Sequence, residues 1–251
     1  MVAIVDPRRA ERFVETAAVA EIRTAIDYAE RSLYPVRIIG KPGTGKTTAL
    51  RYLAAEIGAV YVQAAAAHRN LRGMYQMLLA AYGRPAPNTT EAELAARVYE
   101  EIGDRHEVPT LFLDEYQTLE PRSQRELLNI QETKCFGLVL AGNAETLAER
   151  KDTAALEQIL DRLGMDLRLD GPTVEDCRNF CIEFNVEGKD AYAAVENFGG
   201  RTNLRQLVAL LEEARDIAGF GSIQRKHLET AVLLKRNARS ALKLFEPGEA
   251  A

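Results

Sequence analysis

The sequence predicts an α/β fold, a parallel five-stranded sheet flanked by helices, followed by a smaller all-helical domain. Three observations carry this. Short β-branched apolar runs alternate with helically spaced ones, the first such run opens into a glycine-rich loop, and from Pro172 onward helical spacing continues without a strand-like run.

Pro35-Val36-Arg37-Ile38-Ile39-Gly40 is a β-branched run closed by glycine, and Leu50, Leu53, Ala54 and Ile57 follow at helical spacing: strand, loop, helix. Gly58 stops that helix, and Ala59-Val60-Tyr61-Val62-Gln63 reads as the second strand. Residues 70–82 carry a helical pattern that Gly83-Arg84-Pro85-Ala86-Pro87-Asn88 breaks. A further helix is expected from Thr90 to Arg105, opened by the capping-box pattern Thr90-Glu91-Ala92-Glu93. Thr110-Leu111-Phe112-Leu113 has the continuous apolar character of a strand buried on both faces, and it ends at Asp114-Glu115. Pro121 suits the first turn of a helix with Leu127, Leu128 and Ile130 on its apolar face. Phe136-Gly137-Leu138-Val139-Leu140-Ala141-Gly142-Asn143 is a fourth strand, and helical residues through Leu163 lead to a fifth, Met165-Asp166-Leu167-Arg168-Leu169. Helices are expected at 173–184, 188–198, 203–217 and 224–236, so the boundary falls at Gly171-Pro172. Residues 1–171 hold the sheet and an N-terminal lead-in; residues 172–251 form the helical domain with a basic tail segment.

Composition narrows the function classes. The net charge of −5 argues against a protein coated in basic surface for nucleic acid. Its distribution is uneven: Arg225, Lys226, Lys235, Arg236, Arg239 and Lys243 face a single acid, Glu229, between Ser222 and Lys243, a weak pointer to phosphate contact that a solvated helical face explains as well. No apolar run approaches the ~18 residues of a membrane span, and the N-terminus lacks a signal-peptide core, so a cytoplasmic protein with no membrane partner is expected. The three cysteines make no disulfide framework; Cys177 and Cys181, four apart in a helical pattern, read as buried thiols because no second Cys or His pair at suitable spacing accompanies them.

The chemistry is concentrated in Gly40-Lys41-Pro42-Gly43-Thr44-Gly45-Lys46-Thr47, extended by Thr48. A chance match to this P-loop pattern in a chain this long is on the order of one in a hundred from average composition, and its place between strand and helix tightens it further. Glycines let the backbone wrap a phosphate, and successive N–H groups at the helix N-terminus face the negative charge. Lys46 would neutralise β- and γ-phosphate oxygens of ATP, and Thr47 would ligate Mg²⁺. Asp114, delivered to the C-terminal edge of the sheet, would hold Mg²⁺ through water. Glu115 beside it can orient and polarise an attacking water, a role that a phosphotransferase does not need. Asn143, ending the next strand, fits a hydrogen bond to the γ-phosphate or the lytic water, with a turn-forming Asn as the competing reading. Arg162, before the last strand, and Arg205, opening a helix of the second domain, complete the candidates; by position alone either is also a surface arginine.

Together these residues resemble the AAA+ ATPases, and among them the phage Mu transposition protein B family of transposon target-selection ATPases. Less generic stretches carry the narrower likeness: Arg12-Phe13-Val14-Glu15-Thr16, Phe136 to Asn143, and Leu204-Arg205-Gln206-Leu207. The resemblance implies an ATP-dependent DNA-binding protein that forms a homo-oligomer, ring or helical filament, on double-stranded DNA, stimulates a transposase and leaves DNA on hydrolysis. In it Lys46 and Thr47 match Walker A, Asp114 and Glu115 Walker B, and Asn143 sensor 1. Arg162 matches an arginine finger acting on the neighbouring subunit's ATP, and Arg205 matches sensor 2 of a lid. The phage protein carries an N-terminal helix-turn-helix-like domain, whereas this chain begins almost at the ATPase module. DNA contact is therefore expected from the ATPase ring or the lid, with Arg69, Arg72, Arg225, Lys226, Lys235 and Arg236 as candidates. The rival reading is an AAA+ ATPase that switches or remodels a protein partner with no direct DNA role.

Overall fold

The computed structural model describes residues 13–86, 88–102, 109–143, 159–236 and 239–247. Its centre is a five-stranded sheet in the order β2-β3-β4-β1-β5, built from β1 (Val36–Gly40), β2 (Val60–Gln63), β3 (Leu111–Asp114), β4 (Leu138–Asn143) and β5 (Met165–Leu169). Every described pairing is parallel. β1 and β3 are buried at every position and β4 at all but its last, as strands covered on both faces must be, whereas the edge strands β2 and β5 are only partly covered. The helices around the sheet are α1 (Ala17–Ser32), α2 (Lys46–Ile57), α3 (Leu71–Ala81), α4 (Glu91–Glu101) and α5 (Pro121–Lys134). Their apolar faces meet the sheet in a core that includes Met74, Leu78, Leu94, Leu127, Phe136 and Leu140. Each such side chain contributes about 1.5–3 kcal/mol by leaving water.

Local chemistry sets the helix ends. Asn70 accepts from the Gly73 amide at the start of α3, and Thr90 and Glu93 form the expected capping box on α4. Residues 103–108, which include the expected end of that helix at Arg105, lie outside the described residues, as do 144–158, the larger part of the helix expected before β5. One strand start moves and one helix is added. β4 starts at Leu138 and not at Phe136, because α5 closes on Cys135 in a left-handed conformation (φ 55°) and the Phe136 carbonyl is taken by the Gln131 side chain at 2.8 Å. Helix α1 stands where only a lead-in is expected, and its signal is Val19, Ile22, Ile26 and Ala29, all buried.

The residues divide into two compact units, one of Glu21–Pro42 with Lys46–Leu169, the other running from Asp170 onward and including residues up to Ala20 and Gly43–Gly45. The second unit is helical: α6 (Val174–Glu183), α7 (Lys189–Arg201), α8 (Leu204–Ala218) and α9 (Arg225–Arg236), with a 3-10 segment Arg239–Phe245 that periodicity did not anticipate. Phe180, Phe184, Val195, Phe198, Leu207, Leu211 and Leu228 fill its core. A single parallel bridge, Val186 to Ile223, is its β pairing among the described residues. Asp176, 4% exposed, serves two helix N-termini: Oδ2 accepts from the Thr173 amide and Oδ1 from the Ala17 amide, both at 2.8 Å. Among the described residues no helix is long and apolar enough to cross a membrane.

Candidate nucleotide site

Parallel strands align their C-terminal ends, so Gly40, Gln63, Asp114 and Asn143 come to one edge of the sheet, the edge where open α/β sheets bind ligands. Between β1 and α2 the chain turns through Lys41–Gly45. Gly43 (φ 86°) and Gly45 (φ 91°) occupy backbone conformations that L side chains rarely adopt, which frees this stretch to wind tightly into the N-terminus of α2. The first amides of a helix have no intrahelical partner and favour an anion. Lys46, the first residue of α2, folds its ammonium back over the loop, donating to the carbonyls of Gly40 (2.8 Å) and Lys41 (3.0 Å). Thr44 is buried and Thr48 exposed.

Asp114 is 1% exposed and stays compatible with burial through its donors. The Thr47 hydroxyl donates to its Oδ2 at 2.6 Å, the Tyr61 phenol to the same oxygen at 3.0 Å, and the Glu115 amide to Oδ1 at 2.9 Å. Burial first, and then the negative charge of Asp114, raise the Tyr61 pKa well above the usual phenol value, so Tyr61 remains a donor. Arg51 lies over the Tyr61 ring, 5.2 Å from its centroid. Sequence reading passed over Tyr61. Its role follows from β2 lying beside β3 with Gln63 opposite Asp114, a pairing no local pattern reveals.

The Thr47 hydroxyl and the Asp114 carboxylate, side by side at the loop, are the hard oxygen donors that Mg²⁺ takes. Mg²⁺ is commonly held by one or two protein oxygens and completed by water and substrate phosphates, so a hydroxyl and a carboxylate at the loop are a sufficient protein share. The residues present therefore fit Mg²⁺.

Glu115 leaves the strand abruptly, at φ 55° and ψ 35°. Asn143 is half-buried at the end of β4 and pairs in register with Gly40. Since β4 lies between β3 and β1, the structure sets Asn143 between the acidic strand and the loop strand. The two candidates are joined by a residue the sequence reading did not single out: Gln117, which donates through Nε2 to the Glu115 carboxylate and accepts the Asn143 amide through Oε1 at 3.3 Å.

The remaining candidates fall elsewhere. Arg162, exposed, donates to Asn129 of α5 at 2.6 Å, beside a cavity that Tyr75, Arg122, Arg125 and Glu126 also line. Arg205 is exposed on the first turn of α8, where its backbone amide donates to the carbonyl of Gly43 at 3.1 Å. Of the basic candidates, Arg69 pairs with Glu120 at 3.1 Å, Arg72 donates to Asn88 at 2.7 Å and Arg225 pairs with Glu229 at 2.8 Å, while Lys226 is exposed. Lys235 and Arg236 lie on α9, and their side chains fall outside the described residues.

A phosphate-accommodating loop, a buried aspartate bonded to the loop threonine and a parallel sheet define the P-loop AAA+ fold. Residues 34–150 match the AAA domain family. Among solved structures, the ORC2 protein of Aeropyrum pernix in its ADPNP–ADP complexes is similar at a TM-score of 0.62 and 18% identity, covering 93% of this chain and 69% of that one. Its ADP form gives 0.62 and 17%, covering 89% and 71%. The RuvB Holliday junction branch migration motor of Thermotoga maritima gives 0.53 and 18%, covering 88% and 70%. At these identities the likeness is one of fold. Among curated proteins no match is found.

Proposed function

We propose that this chain is an ATP hydrolase that oligomerises on double-stranded DNA without strong sequence preference and serves DNA transposition in the cytoplasm, by target selection and transposase stimulation. The observation that carries the hydrolase reading is the Thr47–Asp114 hydrogen bond with Glu115 next in the chain. In this reading residues 1–171 bind ATP and residues 172–251 act as a lid. Lys46 neutralises β- and γ-phosphate oxygens, and Thr47 and Asp114 hold Mg²⁺, which supplies charge neutralisation on the phosphates when bound. Glu115 orients a water for in-line attack on the γ-phosphorus and draws off its proton as the bond to the β–γ bridging oxygen breaks, leaving ADP and phosphate. Asn143 hydrogen-bonds the γ-phosphate or the water, Arg205 contacts the γ-phosphate of its own subunit, and Arg162 reaches the neighbour's.

The DNA part rests on the resemblance to transposition protein B, the basic segment around Arg225 and Lys226, and a fold shared with a motor that acts on Holliday junctions. Phosphate release with and without duplex DNA, together with ATP-dependent cosedimentation on DNA, tests it. Glu115→Gln is expected to keep ATP binding, lose turnover by ~10²–10⁴-fold and accumulate the ATP-bound assembly on DNA. Normal turnover in Glu115→Gln removes the base assignment. Neither stimulation nor ATP-dependent DNA binding at low salt removes the DNA role, and nucleotide-dependent capture of a non-recombinase partner would replace it with partner remodelling.

A further inference from the structure

Gln117 is 7% exposed, on the 3-10 turn Tyr116–Thr118 that follows β3. A buried side-chain amide is costly unless its donors and acceptors are met. Here both ends are used: Nε2 donates to Oε2 of Glu115, and Oε1 accepts the backbone amide of Asn143 at 3.3 Å. The partners fix the orientation, since a carboxylate can only accept and an N–H can only donate. Space for this arrangement comes from β4. A Cβ on Gly142 would stand 2.4 Å from Gln117 Oε1 and 2.9 Å from the Tyr116 ring, so a side chain there would displace the amide. Glu115 itself, in the left-handed region, is off the extended path of β3, and the strand ladder does not dictate where its carboxylate goes.

We infer that Gln117 is a positioning residue for hydrolysis: its amide holds the Glu115 carboxylate against the end of β4, so that Asn143 and Glu115 move as one unit. The inference rests on the assignment of Glu115 as the water-orienting base. A displacement of about 1 Å in such a group costs up to ~10²-fold in rate. Gln117→Met keeps the size of the side chain and removes both hydrogen bonds, and Gly142→Ala reaches the same amide from the opposite strand.

The experiment measures steady-state kcat, KM and nucleotide affinity (fluorescent ATP analogue titration) of the full chain for the parent, Gln117→Met, Gly142→Ala, Glu115→Gln and the Glu115→Gln/Gln117→Met double variant. Expected are a ~10–100-fold fall in kcat for Gln117→Met and for Gly142→Ala, with nucleotide affinity within about twofold. In the Glu115→Gln background Gln117→Met should add little, because it acts through Glu115; a purely structural residue would exact its full factor again. Gln117→Met or Gly142→Ala at parental kcat, while Glu115→Gln is inactive, overturns the inference and leaves the base assignment standing. So does a full additional loss in the double variant. Parental turnover in Glu115→Gln overturns both. Should Gln117→Met fail to fold, the Gly142→Ala result decides by the same criteria.

Discussion

Arg37 and Asp166 provide the sharpest test of what the sheet does for the loop it carries. Arg37 lies in β1, one register step from the strand's start and opposite Asp166 of β5. Its side chain is 5% exposed, against 38% for Asp166, and the two make a fork of hydrogen bonds, Nε to Oδ1 at 2.8 Å and Nη2 to Oδ2 at 2.5 Å, with the Tyr116 hydroxyl 3.5 Å from Nη1. Burial by itself would lower the Arg37 pKa; the Asp166 hydrogen bonds and Tyr116 more than offset it, and the net shift is upward. Breaking a buried pair by removing one partner costs about 3–5 kcal/mol. Asp166 is open enough for water to replace it in part, which brings the expectation for Asp166→Ala to about 2–3 kcal/mol. The sheet unit has roughly 150 residues and, at about 2.1 cal/mol/K per residue, an unfolding entropy near 0.3 kcal/mol/K, so its Tm should fall by about 6–10 °C. Differential scanning calorimetry reads this directly. Arg37→Leu/Asp166→Leu, which leaves no stranded charge, should recover to within about 1 kcal/mol of the parent. A fall of less than about 2 °C in the single variant, or a double variant as damaged as the single, would refute the reasoning.

Two further outcomes are expected. Arg162→Ala should bind ATP as the parent does and fail in turnover, and mixing it with Lys46→Ala should restore activity at intermediate ratios if the arginine acts on a neighbour's nucleotide; no recovery at any ratio in an ATPase titration counts against a trans role. Burial pushes the Cys177 thiol up to about 11 and the Cys181 thiol up to about 12, so both stay protonated at pH 8, whereas Cys135 is half-buried. A chromogenic disulfide reagent should therefore titrate one thiol per native chain and three after denaturation; rapid reaction of three in the native state would show that the α6 core is open.

Much of this was legible in the residues because it depends on neighbours in the chain. The loop from Gly40 to Thr47 must follow a strand and open a helix, the run Leu111 to Leu113 must be buried on both faces, and Thr90 with Glu93 must cap a helix, whatever surrounds them. Helix α1 shows the limit of that local signal: Val19, Ile22, Ile26 and Ala29 have helical spacing, but no chemical motif marks the element.

Residues adjacent in the chain thus set the phosphate loop, the acids Asp114 and Glu115 at the end of β3, and the strand–helix alternation that makes the sheet parallel. Strand order was decided only in three dimensions. β4 inserts between β3 and β1, which sets Asn143 beside Gly40 and Gln117 between Glu115 and the end of β4, and β2 pairs with β3, which sets Tyr61 against Asp114; no spacing in the chain shows either. The physical reason is that local patterns report which face of an element is buried, whereas lateral pairing and hydrogen bonds such as Gln117 to Asn143 join residues far apart in the chain, where periodicity carries no information.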